Sequence, residues 1–198
     1  MGAGDSRPVS PARVVDPDGA LVDTFPIPTD EASLAEILRG LFSDWWRDIV
    51  FGPIVEGAAW EWRASGPPEL IRLDDGYLTV QFGPSHFHLC IGQNRGTRSN
   101  PVPKELARRR RTARAELFRR LDRDSQAPVV WGLRLFNGAD EQQITLFFPN
   151  PFLSASFDRP LRAPDWSKLA LWDSLRKRWL GLAEPDAVDR SAQSFRHP

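Results

Sequence analysis

An α+β fold with a mostly antiparallel sheet is predicted by three features of this chain. Strand-like segments are joined by short turn sequences, at Asp74-Asp75-Gly76 and Gly83-Pro84-Ser85 and again at Asn137-Gly138-Ala139-Asp140. Connections that short permit only antiparallel pairing. Three other segments place apolar residues at helical spacing, and the order along the chain is helix, strands, helix, strands, helix. The expectation is a single domain whose sheet of about five strands is built from two hairpins flanking a helix, with helices packed on the sheet.

Residues 1–28 are rich in Pro, Gly, Ser and Asp without periodicity, which predicts a flexible N-terminal arm. The domain is expected over 29–181, and 182–198 reads as a C-terminal tail. A first helix begins after Thr29 or Asp30, where Leu34, Ile37, Leu38, Leu41, Phe42, Trp45 and Ile49 form one apolar face, and Gly52-Pro53 ends it. Trp60 and Trp62 alternate around Glu61 as in a half-buried strand. Residues 70–73, 77–82 and 86–91 are three short strands. Pro101 and Pro103 suit the first turn of a second helix, expected over about 104–121 with Leu106, Ala113, Leu117, Phe118 and Leu121 as its stripe. Residues 129–136 and 142–148 form the second hairpin. Asp165 caps a last helix whose face is Leu169, Trp172, Leu175 and Trp179, with Gly181 as its stop.

Composition narrows the function classes. The net charge is zero, from 26 basic and 26 acidic residues, so no global field favours nucleic acid or a membrane surface. No apolar run approaches the ~18 residues of a membrane span. The N-terminus lacks a basic-then-apolar signal pattern and a single cysteine precludes an internal disulfide, so a cytoplasmic location is expected. Arginine outnumbers lysine 23 to 3, a bias expected of a GC-rich bacterial genome. Arg108 to Arg111 spread around all sides of a helix rather than forming one stripe, so a nucleic-acid partner is not expected.

The chemistry concentrates in His86-Phe87-His88-Leu89-Cys90, which holds two of three histidines and the only cysteine. On a strand these three side chains share one face. The Cα atoms of His86 and Cys90 stand ~13 Å apart on a regular strand. One ion at Zn–S ~2.3 Å from Cys90 then lies out of reach of His86. His86 and His88 are therefore the favoured metal ligands, with Cys90 a further candidate or a small buried wall. Third-ligand candidates are Glu56, Glu61, Glu141, Gln142 and Gln143. If Gly83, Pro84 and Ser85 form the whole hairpin loop, His86 lies beside Phe82, His88 beside Val80 and Cys90 beside Leu78. Burial there favours the neutral imidazole that binds metal.

The segment His86-Phe87-His88-Leu89-Cys90-Ile91-Gly92 resembles the histidine-triad motif of nucleotide hydrolases and transferases, with Cys90 standing where the third histidine falls. The resemblance implies His88 as the nucleophile. The cupin motif also begins His-x-His but continues to a glutamate, which the stretch 89–94 lacks.

The loop from Gly92 to Asn100, with Arg95 and Arg98, precedes a helix start and makes a candidate anion seat. Arg134 and Gln143 are polar residues in apolar strands and candidate pocket liners. Trp45-Trp46 and Trp60-x-Trp62 offer surfaces for a flat ligand such as a tetrapyrrole. The first expectation is thus a metal-binding protein of small-molecule metabolism. His86 and His88 would hold zinc or iron, and Arg95, Arg98, Arg134 and Gln143 would hold an anionic small molecule. If catalytic, the metal would polarise a substrate oxygen or activate water. The alternatives are a non-catalytic cofactor-binding or accessory protein, and a histidine-triad-like enzyme.

Overall fold

A computed structural model describes residues 10–55, 57–157 and 159–194. The fold is α+β, with mostly antiparallel sheets and three α-helices among the described residues. The strands are β1 (Ala12–Val15), β2 (Leu21–Pro26), β3 (Val50–Gly52), β4 (Ile54–Val55), β5 (Ala58–Ala59), β6 (Leu70–Asp74), β7 (Tyr77–Phe82), β8 (Ser85–Cys90), β9 (Thr112–Leu121), β10 (Pro128–Asn137) and β11 (Gln142–Phe147). The helices are α1 (Glu31–Asp44), α2 (Lys104–Arg110) and α3 (Ala170–Leu180). Six strands form one sheet in the order β1-β2-β9-β10-β11-β3; β6-β7-β8 and β4-β5 form two smaller ones. The two expected hairpins therefore lie in different sheets. Among the described residues no helix is long and apolar enough to cross a membrane.

The chain forms two compact units. The first comprises Met1–Ile27, Leu117–Gly132 and Phe148–Pro198. Its core gathers Val22, Phe25, Trp131, Phe148, Leu169 and Trp172. Phe25 meets Trp172 edge-on with ring centroids 5.7 Å apart, a favoured aromatic geometry. Two segments expected as arm and tail contribute here. Residues 12–26 hold β1 and β2, and Val22, Asp23, Thr24 and Phe25 are buried. Short strands around an Asp-Gly turn were masked by the surrounding Pro and Gly.

The C-terminal segment inserts a carboxylate into the same core. Asp189 is fully buried. Its Oδ1 accepts from Arg119 Nη1 at 2.9 Å and from the Trp131 indole at 3.0 Å, and its Oδ2 accepts from the Trp172 indole at 2.7 Å. Arg119 also donates to Asp23 at 3.1 Å and Asp186 at 2.8 Å, and Arg176 stands 3.7 Å from Asp189. A buried charge without such partners is heavily penalised, so Asp189 is held by the donors around it.

The second unit comprises Pro28–Glu116 and Leu133–Phe147. Helix α1 starts where Asp30 accepts from the Ser33 amide at 2.9 Å, an N-cap bond that satisfies one orphan donor. Its buried face is Leu34, Ala35, Ile37, Leu38, Leu41 and Phe42. Phe42 meets Phe51 at 5.0 Å and Phe87 at 5.3 Å between centroids, and Phe51 meets Trp62 at 5.2 Å. This aromatic cluster supports the site described below.

The segment expected as one long helix is instead α2 followed by β9. Arg111 is extended and ends the helix after seven residues. The stripe Leu106, Ala113, Leu117, Phe118 and Leu121 fits a helical period, but the sheet order gives β9 a ladder on each side, to β2 and to β10. Two ladders outweigh the helix preference of an Ala-, Arg- and Leu-rich run. Two charged residues of β9 are buried and paired: Arg119 as above, and Glu116 with Arg134 at 2.6 Å.

Candidate functional site

The histidine strand is the edge of the three-stranded sheet, and its register places the histidines. Pairing runs Phe82 with Ser85, Gln81 with His86, Val80 with Phe87, Thr79 with His88 and Leu78 with Leu89. The turn is therefore two residues, Gly83 and Pro84, one shorter than the sequence suggested. A one-residue change of register exchanges the two faces of a strand. His86 and His88 thus stand beside Gln81 and Thr79 instead of Phe82 and Val80, and both rings are exposed. The expectation that burial favours neutral imidazoles fails here, because the rings are not buried.

The two imidazoles are neighbours, with centroids 5.1 Å apart and planes at 71°. Thr79 Oγ1 lies 2.8 Å from His88 Nδ1. That contact fixes the ring and leaves Nε2 as its other nitrogen. Both histidines line a cleft of about 540 Å³. Its apolar walls include Phe51, Trp60, Trp62, Phe87 and Ile144, and its polar lining is Ser85, His86, His88 and Gln143.

Trp60 is 68% exposed at this cleft. Its position depends on Gly52, the last residue of β3. A Cβ at Gly52 would lie 1.7 Å from the Trp60 carbonyl oxygen, so only glycine lets the two backbones approach. The Trp60 amide donates to the Pro53 carbonyl at 3.0 Å, and Phe51 and Trp62 exchange backbone hydrogen bonds. The alternating tryptophans were legible in the sequence; the close approach at Gly52 was not.

Gln143 is the one expected substrate-binding residue in the cleft lining. Its amide is committed to the protein: Oε1 accepts from Thr112 at 2.7 Å, and Nε2 donates to the Arg110 carbonyl at 3.0 Å. Arg134 is ion-paired to Glu116 and lies outside the lining. Arg95 and Arg98 are exposed and also lie outside it. In the loop where an anion seat was expected, N–H groups converge on the protein's own Asp75. The amides of Arg95 and Gly96 donate to the Asp75 carboxylate at 2.7 and 2.8 Å, and Asn94 Nδ2 donates at 2.7 Å. These backbone bonds hold the Asp75 carboxyl below its ordinary pKa. Asp75 and Gly76 both have positive φ, the turn that aims this carboxylate at the loop.

Cys90 is buried and outside the cleft lining, with Sγ 3.7 Å from the Gly92 carbonyl. Burial pushes its thiol up, against the opposing effects of a Tyr77 hydrogen bond and the Arg110 charge. A protonated buried thiol is a poor ligand and a poor nucleophile. Of the third-ligand candidates, Glu141 is engaged by Asn137 and Arg109, and Gln142 donates to Thr145. Glu61 is outside the cleft lining, and Glu56 lies outside the described residues. Among the described residues no group of three or more His, Cys, Asp or Glu side chains is placed to hold a metal. The site is therefore a pair of imidazoles in an aromatic cleft whose lining, among the described residues, holds no Lys, Arg, Asp or Glu.

The sequence profile of a family of unknown function (DUF7676) matches residues 11–181. The chain belongs to that family. The match spans both compact units and includes the whole of the cleft lining. No match was found among the curated proteins or the solved structures.

Proposed function

We propose that the protein binds a small molecule in the aromatic cleft, with His86 and His88 holding a divalent metal at its polar end. The observation that carries this reading is the pairing of two exposed imidazoles in one cleft, 5.1 Å apart. Zn–N bonds of ~2.0–2.1 Å in tetrahedral geometry require two rings sharing an ion to stand at about 5 Å. The Thr79 contact supports it further. Metal-bound histidines commonly engage their second nitrogen with an oxygen that fixes tautomer and orientation. Two protein ligands leave at least two positions on a four-coordinate ion for water or ligand oxygens. Zinc, or a neighbouring first-row metal, suits a pair of imidazoles.

Isothermal titration with zinc tests the proposal. The expected result is one equivalent bound by the native chain, with binding lost in His86→Ala and in His88→Ala while circular dichroism is unchanged. Equal zinc binding by a His86→Ala/His88→Ala double variant would refute it.

A further inference from the structure

Resting on that metal reading, we infer that the cleft takes a planar aromatic ligand carrying two adjacent oxygens, a catechol-like chelator, and that metal and ligand bind as a mutually dependent pair. Three observations lead there. The first is charge: among the described residues no Lys, Arg, Asp or Glu lines the cleft. An anionic ligand entering without a metal would find no compensating cation among those side chains, and desolvating an unpaired charge is costly. A metal on the two imidazoles is then the positive charge that offsets a ligand oxygen anion.

The second observation is the shape of the walls. Trp60 and Trp62 line the cleft together with Phe51 and Phe87, and Trp60 leaves most of its surface open. Exposed tryptophan beside a cavity offers a flat apolar face that gains by stacking on another ring. Trp60 is also held there by a backbone contact only glycine permits, so its exposure is built into the fold at Gly52. The third is the ligand count. Two imidazoles alone bind zinc weakly, and among the described residues no third protein ligand joins them. A bidentate oxygen donor fills the two remaining tetrahedral positions at once. It releases its hydroxyl protons to solvent as the metal–oxygen bonds form. Ligand and metal then each raise the other's affinity by the same factor.

The test uses 2,3-dihydroxynaphthalene as the probe and zinc as the metal, since zinc does not oxidise a catechol. Calorimetry measures zinc alone, probe alone, and probe with equimolar zinc present, on native chain, Trp60→Ala and His86→Ala. The expected result has zinc tightening probe binding at least tenfold. Trp60→Ala should weaken the ternary complex about tenfold with zinc binding alone unchanged, and His86→Ala should abolish it. Zinc binding without any change in probe affinity overturns the chelator inference and leaves the metal site standing. Probe binding that is equally tight without zinc overturns it too, as does a silent Trp60→Ala. Failure of zinc itself to bind overturns both readings together.

Discussion

Replacing Asp189 tests how strongly buried charge and hydrogen bonding hold the first unit's core. The carboxylate is fully buried, and each of its oxygens accepts from a buried donor. Asp189→Ala leaves two indole N–H groups without an acceptor and leaves Arg119 and Arg176 with less compensating charge. Breaking one partner out of a buried ion pair costs about 3–5 kcal/mol. Asp186 and Asp23 still neutralise Arg119, so the lower half of that range applies, about 3–4 kcal/mol. For a chain of this size each kcal/mol moves Tm by about 2–4 °C, so a fall of roughly 6–16 °C is expected. Asp189→Asn separates electrostatics from shape. Whichever way its amide turns, an NH2 group faces an indole N–H, so the isosteric variant should lose about 2–3 kcal/mol. Urea unfolding followed by circular dichroism reads both variants, with the midpoint moving and the m-value held. A native-like midpoint in Asp189→Asn would refute the claim that the C-terminal segment is anchored by charge and hydrogen bonding.

Other consequences follow from the same geometry. Burial alone would raise the pKa values of Asp23 and Asp186. Hydrogen bonds from Arg13 and Arg119 to the first, and from the Val188 amide and Arg119 to the second, outweigh it, so both lie below the ordinary carboxylate value. Their stabilising contribution is complete above the unfolded-state value of about 3.9 and is lost as pH falls through the lower folded-state values. Urea midpoints should therefore drop steeply below about pH 4, and Asp23→Asn should flatten that drop; a native midpoint independent of pH in this range would contradict the assignment. Gly52→Ala drives a Cβ against the Trp60 backbone and should cost about 1–3 kcal/mol while displacing Trp60, read as lost probe binding and altered near-ultraviolet circular dichroism. Thr79→Val removes the oxygen at His88 Nδ1 and should weaken zinc about tenfold without changing the melting temperature; unchanged zinc affinity would show that the contact does not orient the ring.

Several elements were legible in the sequence because local and tertiary preferences agree there. Asp30 and the apolar spacing after it locate the start of α1, although the helix ends at Asp44 and Val50–Gly52, expected within it, forms β3; Asp-Asp-Gly with its flanking alternation locates β6 and β7. Segment 104–121 has a composition that favours one helix, yet only Lys104–Arg110 is helical and Thr112–Leu121 is a strand. The partners that let Glu116 and Arg119 be buried come from Arg134, Asp23, Asp186 and Asp189, all distant in sequence. The grouping of His86 and His88 could be read from their alternation alone. Their exposure could not, since it turns on whether Ser85 belongs to the loop or to the strand. The arginines of the 92–100 loop were expected near the strip, but nothing in the sequence signals that Asp75 reaches the loop amides first.

The most direct measurement of the central claim is anomalous scattering at the zinc absorption edge from crystals grown with zinc. The account predicts one peak within about 2.1 Å of a nitrogen of His86 and of Nε2 of His88, on the cleft side of β8. A map with no peak at these two rings, or with zinc bound only elsewhere on the chain, would contradict it.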